Sequence, residues 1–236
     1  MTRRRWIADE VSGKRAALIG DHAAHLVRVL RAHVGQEFDI AAGDAVRRGR
    51  IVTIADDRVE FELGEEVPAA ALADIALLLS VFKFDRMEWA IEKCIELGVS
   101  RIVPVIARRT DAHLASAAAK RVERWRKIAL QAAEQSRRSS PPEIAAPCKL
   151  RDAVNLPGAL RIVLSESEQE NQFRDVLAEN RAGAVLLAVG PEGGWAEDEL
   201  QFFEQSGWIS ASLGATILRA ETAAIAAVAV TASALG

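Results

Sequence analysis

Two glycine-bearing stretches carry the residues best suited to chemistry. The first is Val189-Gly-Pro-Glu-Gly-Gly-Trp195. Its glycines Gly190, Gly193 and Gly194 let the backbone turn sharply and approach a ligand closely, Pro191 stiffens the turn, and Glu192 projects a carboxylate from it. A phosphate loop is excluded, because the spacings GxGxxG and GxxxxGK[ST] are missing, no lysine is present, and the carboxylate would repel phosphate. A cationic or hydrogen-bond-donating ligand suits it better. The second stretch is Ser212-Leu-Gly-Ala-Thr-Ile-Leu-Arg-Ala-Glu-Thr-Ala223. Arg219 and Glu221 are charges inside an otherwise apolar segment, where they are costly unless paired or functional. Thr222 falls near a helix start, where its hydroxyl caps the helix or meets a ligand. The plain alternatives are a tight turn for the first stretch and an Arg219–Glu221 ion pair for the second.

These stretches follow strands. Residues 184–189 form a continuous apolar run, the mark of a strand buried on both faces of a parallel sheet, and so do residues 75–82. Residues 85–97 continue at helical spacing with Met87, Ala90, Ile91, Cys94 and Ile95 on the buried side, and Gly98 stops them. Strands are predicted at 101–106, 160–164 and 208–213, and helices at 117–138, 169–180, 197–205 and 221–235. Strands alternating with helices define an α/β domain with a parallel sheet over 73–236. Ligands of such sheets bind outside the carboxyl ends of the strands, where both glycine stretches lie. Leu164-Ser-Glu166 marks a third strand end. Upstream, short strands are predicted at 37–40, 49–54 and 58–63, with glycines between them. One helix, 21–30, is capped by Asp21 and buries Leu26, Val29 and Leu30. Residues 1–70 therefore read as a small β-barrel-like domain, and 68–72 as a linker.

Composition narrows the class. Half of the 236 residues are hydrophobic and 27% are charged, as in ordinary globular proteins. Cys94 and Cys148 stand far apart, so neither a zinc site nor a disulfide framework is expected, and a reducing cytoplasm fits. His22, His25 and His33 lack companions at metal-ligand spacing, so no metal is expected. No apolar run follows the first residues, and the Ala-rich end is too short to span a bilayer, so neither a leader nor a membrane span is expected. Net charge is −3, but its distribution is uneven. Residues 101–138 hold ten Lys/Arg against three Asp/Glu, whereas 139–236 hold six against thirteen. Such asymmetry can orient a polyanion over one face, which makes Arg108, Arg109 and Arg138 candidate RNA contacts independent of the small-ligand site.

Gly190-Pro-Glu-Gly-Gly194 followed by Leu213-Gly-Ala-Thr-Ile-Leu-Arg-Ala-Glu-Thr222 resembles the bacterial methyltransferases that modify N3 of a uridine in the 16S RNA of the small ribosomal subunit. The likeness extends to His25-Leu-Val-Arg-Val-Leu-Arg31, to Lys83, to Glu92-Lys-Cys-Ile-Glu-Leu-Gly-Val99 and to Glu134-Gln-Ser-Arg-Arg138 with Pro142. The chain departs from the pattern at Arg137, where glycine is common, at Ala215 and Thr216, where a basic pair is common, and at Ala220, where threonine is common.

The resemblance implies a SPOUT-class domain whose C-terminal chain is tied in a trefoil knot, preceded by a PUA-like barrel that holds RNA. Neither can be read from composition, because knots are exceptions to ordinary topology. It further implies S-adenosylmethionine as cofactor, held by Gly190, Glu192, Gly193, Gly194, Leu213, Gly214, Ile217, Leu218 and Thr222, with Leu164 and Glu166 as weaker candidates. Uridine N3 must lose a proton before it attacks. Arg219 is the candidate to stabilise the anion, Glu192 or Glu221 to take the proton, and Arg138 to face the RNA. A homodimer is implied as well, and the final helix, apolar almost all round, agrees with needing cover on several faces. Two other classes stay open at this point. One is a non-catalytic RNA-binding module on the same fold, and the other a nucleotide-dependent oxidoreductase, against which the missing dinucleotide fingerprint counts.

Overall fold

The computed structural model describes residues 5–43, 45–55, 57–68, 73–180 and 183–235. The chain divides into two compact units, one of residues 1–71 with 133–141, the other of 72–132 with 142–236. All but the first residue of the expected linker, 69–72, lies outside the described residues.

In the first unit β1 (Arg5–Ile7), β2 (Glu10–Ser12), β3 (Arg15–Ile19), β4 (Glu37–Ala42), β5 (Ala45–Ile54) and β6 (Arg58–Glu66) form one sheet of order β1-β4-β5-β6-β3-β2. The first three strands carry no clear signal in the sequence because they are too short, or too rich in alanine, to show alternation. One extended segment joins the two edges. β1 pairs with β4 and β2 with β3, and between them Ala8 N–H donates to Ala41 O at 2.9 Å and Asp9 N–H to Ala17 O at 3.0 Å. The sheet therefore curls around a core of Trp6, Leu18, Leu26, Phe38, Ile40, Ile51, Val59 and Phe61.

The helix expected at 21–30 is not one regular helix. α1 (Asp21–Ala24) runs into a π-helical turn, His25–Val29, closed by Leu30 N–H donating to His25 O. The wider turn keeps Leu26 inside but leaves Val29 63% exposed, and Gly20 at φ 57° takes the cap position expected of Asp21. One of these histidines, His22, does meet acids, from parts of the chain that spacing cannot link. His22 Nδ1 lies 3.0 Å from the Asp9 carboxylate and its Nε2 3.8 Å from Glu134 Oε1. Burial holds the Glu134 carboxyl above its ordinary range, opposed by His22. Among the described residues no cluster of metal-ligand type occurs.

The second unit is an α/β layer structure. Its strands are β7 (Asp74–Ser80), β8 (Arg101–Ile106), β9 (Glu143–Ile144), β10 (Cys148–Lys149), β11 (Leu160–Leu164), β12 (Ala184–Val189) and β13 (Ile209–Ala211). Its helices are α2 (Phe84–Glu96), α3 (Ala112–Gln135, whose last turn belongs to the first unit), α4 (Leu150–Ala153), α5 (Phe173–Glu179), α6 (Glu197–Gln205) and α7 (Ala220–Leu235). The sheet is parallel throughout, in the order β10-β8-β7-β12-β11-β13 with β9 beside β8. Central strands of such a sheet are covered on both faces, which is why 75–79 and 185–189 are buried nearly without interruption.

Helix bounds shift where local polar groups intervene. α3 starts five residues before the expected 117, because the Asp111 carboxylate accepts the His113 N–H at 3.0 Å and caps the start. It stops at Gln135 rather than 138. Arg137 adopts φ 60°, and the Arg138 N–H turns back to Ala133 O at 2.9 Å. That is the conformation glycine favours, at the very position where the resembling family commonly has glycine. α5 begins at Phe173 rather than 169, because the Glu168 carboxylate draws the Glu170 and Asn171 N–H groups into a turn. α7 packs on α2, α5, β7 and β12, burying Ala224, Ala227, Val228 and Thr231. No described helix is long and apolar enough to cross a membrane.

Candidate active site

The site is built at the carboxyl ends of β12, β11 and β13, which lie side by side in that order. The two glycine stretches are thus not on neighbouring strands. β11 stands between them, and its end, Leu164-Ser165-Glu166, is central to the site rather than peripheral. The three strand ends enclose a cavity of about 130 Å³. Leu164, Glu166, Gly190, Glu192, Gly194, Leu213, Gly214, Ile217 and Leu218 line it together with Pro191, Ala215 and Thr216, as do Ser165, Trp195, Ser212 and Ala223, for which the sequence alone suggests no ligand role. Gly193 and Thr222 lie outside its walls, Thr222 being exposed on the first turn of α7.

Glycine is required in the loop after β12. The Gly194 N–H closes the turn onto Pro191 O at 2.9 Å, with Gly194 at φ 68°. A Cβ there would run into the Glu166 carboxylate, and one at Gly190 would stand 3.3 Å from Trp195 Nε1. Behind the loop, the buried Trp195 stacks edge-on against Phe203 with ring centres 4.9 Å apart, and Phe203 against Trp208 at 5.0 Å. The Trp208 Nε1–H donates to Val154 O at 3.0 Å, which anchors that end of the ladder.

Arginines from two other strand ends grip the same loop. Arg109, after β8, donates from Nη1 to Gly193 O at 2.8 Å. Arg108 pairs with Asp198, while its N–H donates to Glu199 Oε1 at 2.8 Å, and the Ala196 N–H donates to the other oxygen of that buried carboxylate. This revises their reading as RNA contacts independent of the small-ligand site, because both are tied to the loop and to the head of α6. Arg86, in the first turn of α2, donates from Nη1 to Glu192 Oε1 at 3.1 Å and places Nε 3.8 Å from Glu221 Oε1. Nothing in the sequence points to Arg86, since a lone arginine at a helix start carries no signal about loops more than a hundred residues away.

The candidate catalytic residues are thereby sorted. Glu192 lines the cavity and is 37% exposed, whereas the Glu221 side chain is 7% exposed and outside its walls. Glu221 pairs with Arg86, not with Arg219. The Arg219 side chain is exposed and meets no carboxylate among the described residues. Arg138 belongs to the first unit, half-buried, with burial holding its guanidinium below its ordinary value.

The pocket at the carboxyl edge of this parallel sheet is walled by glycines and bears the carboxylates of Glu166 and Glu192. Against known proteins the chain matches the RNA methyltransferase domain family over residues 69–232, and it belongs to that family. It is 31% identical over 217 residues to the ribosomal RNA small subunit methyltransferase E of Rickettsia conorii, covering 90% of this chain and 87% of that one. Among solved structures, the ribosomal RNA small subunit methyltransferase E of Neisseria gonorrhoeae bound to S-adenosylmethionine superposes with a TM-score of 0.84 at 31% identity, over 97% of this chain and 96% of that one. A protein from Legionella pneumophila, solved in complex with the same cofactor, gives 0.86 at 27% identity over 99% and 98%.

Proposed function

We propose that the protein transfers a methyl group from S-adenosylmethionine to N3 of a uridine in 16S RNA of the small ribosomal subunit. The observation that carries this reading is the pocket at the ends of β11, β12 and β13, in a chain similar over nearly its whole length to a cofactor-bound rRNA methyltransferase. The walls fit the cofactor. Glu166 and Glu192 face a ligand that bears sulfonium and ammonium charge, the glycines leave room that Cβ atoms would fill, and Ile217, 85% exposed, offers apolar surface to a purine. Gly190, Glu192, Gly193, Gly194, Leu213, Gly214, Ile217, Leu218 and Thr222 would hold it, with Leu164 and Glu166 between the two loops. When bound, the sulfonium supplies an electrophilic methyl carbon.

The chain's own residues do the rest. The exposed Arg219 guanidinium, which meets no carboxylate among the described residues, stabilises the uridine anion through charge-assisted hydrogen bonds. A carboxylate, Glu192 or Glu221, takes the N3 proton. Arg138 and the curled sheet of the first unit, read as a PUA-like barrel, hold RNA. The knotted C-terminal chain and a homodimer complete the reading, in the cytoplasm where ribosomal subunits are made. The test is direct. Small subunits from a strain lacking the gene, incubated with the protein and S-adenosylmethionine, should gain one 3-methyluridine, read by mass spectrometry of nuclease digests. A methyl group on another base or another atom, or none, refutes the proposal.

A further inference from the structure

Among the described residues Arg86 alone touches both acidic candidates, and it reaches them from a third element. Its guanidinium donates to Glu192, on the loop after β12, and faces Glu221, in the first turn of α7. The two carboxylates live in different surroundings. Glu192 lines the cavity, half open to solvent. Glu221 is buried, and its Oε2 has no hydrogen-bond partner among the described residues. A buried carboxylate needs a countercharge, and removing that countercharge costs far more than the pair contributes. A base must instead come within hydrogen-bond reach of the proton that it takes.

We propose that Arg86 is a positioning residue that spends one edge of its guanidinium neutralising Glu221, a buried anchor for the head of α7, and the other aiming Glu192 into the pocket as the group that receives the substrate proton. This rests on the methyl-transfer reading above and resolves the choice it left open. It also explains why an arginine stands at this place. A planar fork with donors in fixed directions serves two acceptors on separate elements, whereas the point charge of a lysine cannot hold both in one geometry. Arg86 thus couples the entrance of the last helix to the orientation of one carboxylate.

Two double-mutant cycles test it, one read in rate and one in melting temperature. In single-turnover transfer to 16S RNA, E192Q and R86M should each slow the step by at least about tenfold, and the double variant should be no slower than E192Q alone, because both remove the same aimed carboxylate. The rates are compared at saturating S-adenosylmethionine, so that a loss of cofactor affinity at Glu192 does not enter them. In thermal melts, R86M and E221Q should be strongly non-additive, since E221Q removes the charge that R86M leaves stranded. R86K should recover most of the melting temperature but little of the rate, which keeps the test usable where R86M folds poorly. Losses in rate that add for Arg86 and Glu192, or a rate cycle that couples Arg86 to Glu221 instead, overturn the assignment. The melting cycle needs no RNA, so its outcome stands whether or not the wild-type protein methylates 16S RNA, and additive melting temperatures there overturn the anchor role of Glu221.

Discussion

Gly194 shows how much a single residue type decides. It combines a left-handed backbone with a Cα that abuts the Glu166 carboxylate. Replacing it by valine adds backbone strain of about 1–3 kcal/mol and pushes two loops of the pocket apart. Gly194→Val should therefore bind S-adenosylhomocysteine at least about tenfold more weakly, by calorimetry, while retaining a cooperative melt. Unchanged affinity would show that the pocket lies elsewhere. Residues of this kind are legible in the sequence itself, because glycine spacing and an acid in a turn are local signals. Arg86 and Arg109 are not. Their partners are Glu192, Glu221 and Gly193, and only the sheet order brings strand ends so distant in the chain together.

Whole elements are legible in proportion to their burial. The strands at 101–106, 160–164 and 184–189 and the helix at 197–205 match their expected bounds to the residue, since continuous apolar runs and a clear helical period mark them. Bounds shift where one side chain caps a helix, as Asp111 does, or where a π turn breaks the period, as at His25–Val29. The Trp195–Phe203–Trp208 ladder links α6 to the pocket loop. Phe203→Ala should cost about 3–5 kcal/mol in chemical denaturation, as for other large core truncations. It should also weaken cofactor binding, because Trp195 loses its support. A loss of stability with unaltered binding would separate the ladder from the loop. At the end of α3, Glu134 makes the first unit sensitive to pH. Its carboxyl is raised by burial, so it contributes fully below the ordinary carboxylate range, and that contribution is lost as pH rises through the folded value. Glu134→Gln imitates the protonated form. Relative to wild type its melting temperature should rise between about pH 4 and pH 7, and a constant difference across that range would contradict the burial argument.

At the scale of the whole molecule, charge placement bears on the proposed substrate. The helix α3 presents Lys120, Arg124 and Lys127 on one exposed face, three and four residues apart. Arg124 is held by Glu88 at 2.6 Å, which fixes one member of the row. Binding to a 16S RNA fragment should fall steeply with added salt, the logarithm of affinity dropping linearly with that of salt concentration, as counterion release requires. Replacing Lys120 and Lys127 together should lower that slope by about two. A flat salt response would remove RNA from the proposal. The proposed homodimer is a separate matter, read by sedimentation. Full activity in a plain monomer at micromolar concentration would refute it.

The strand order also dictates when the protein can fold. β7 is paired with β12 from Asp74, opposite Ala184, to Leu79, opposite Val189. During synthesis the apolar edge of β7 must wait for chain some hundred residues downstream, a delay of about 5–20 s at ordinary rates of translation. The first unit waits too, since residues 133–141 complete it, and a fragment ending at residue 71 lacks the helix end that carries Glu134. Neither unit can close until chain well downstream of its first strands has been made. An unpaired, strongly apolar strand edge exposed for seconds is what chaperones bind and what aggregates when they are saturated. Yield on overexpression should accordingly respond to slower, cooler translation and to added chaperones more than to changes that merely raise the stability of the finished fold.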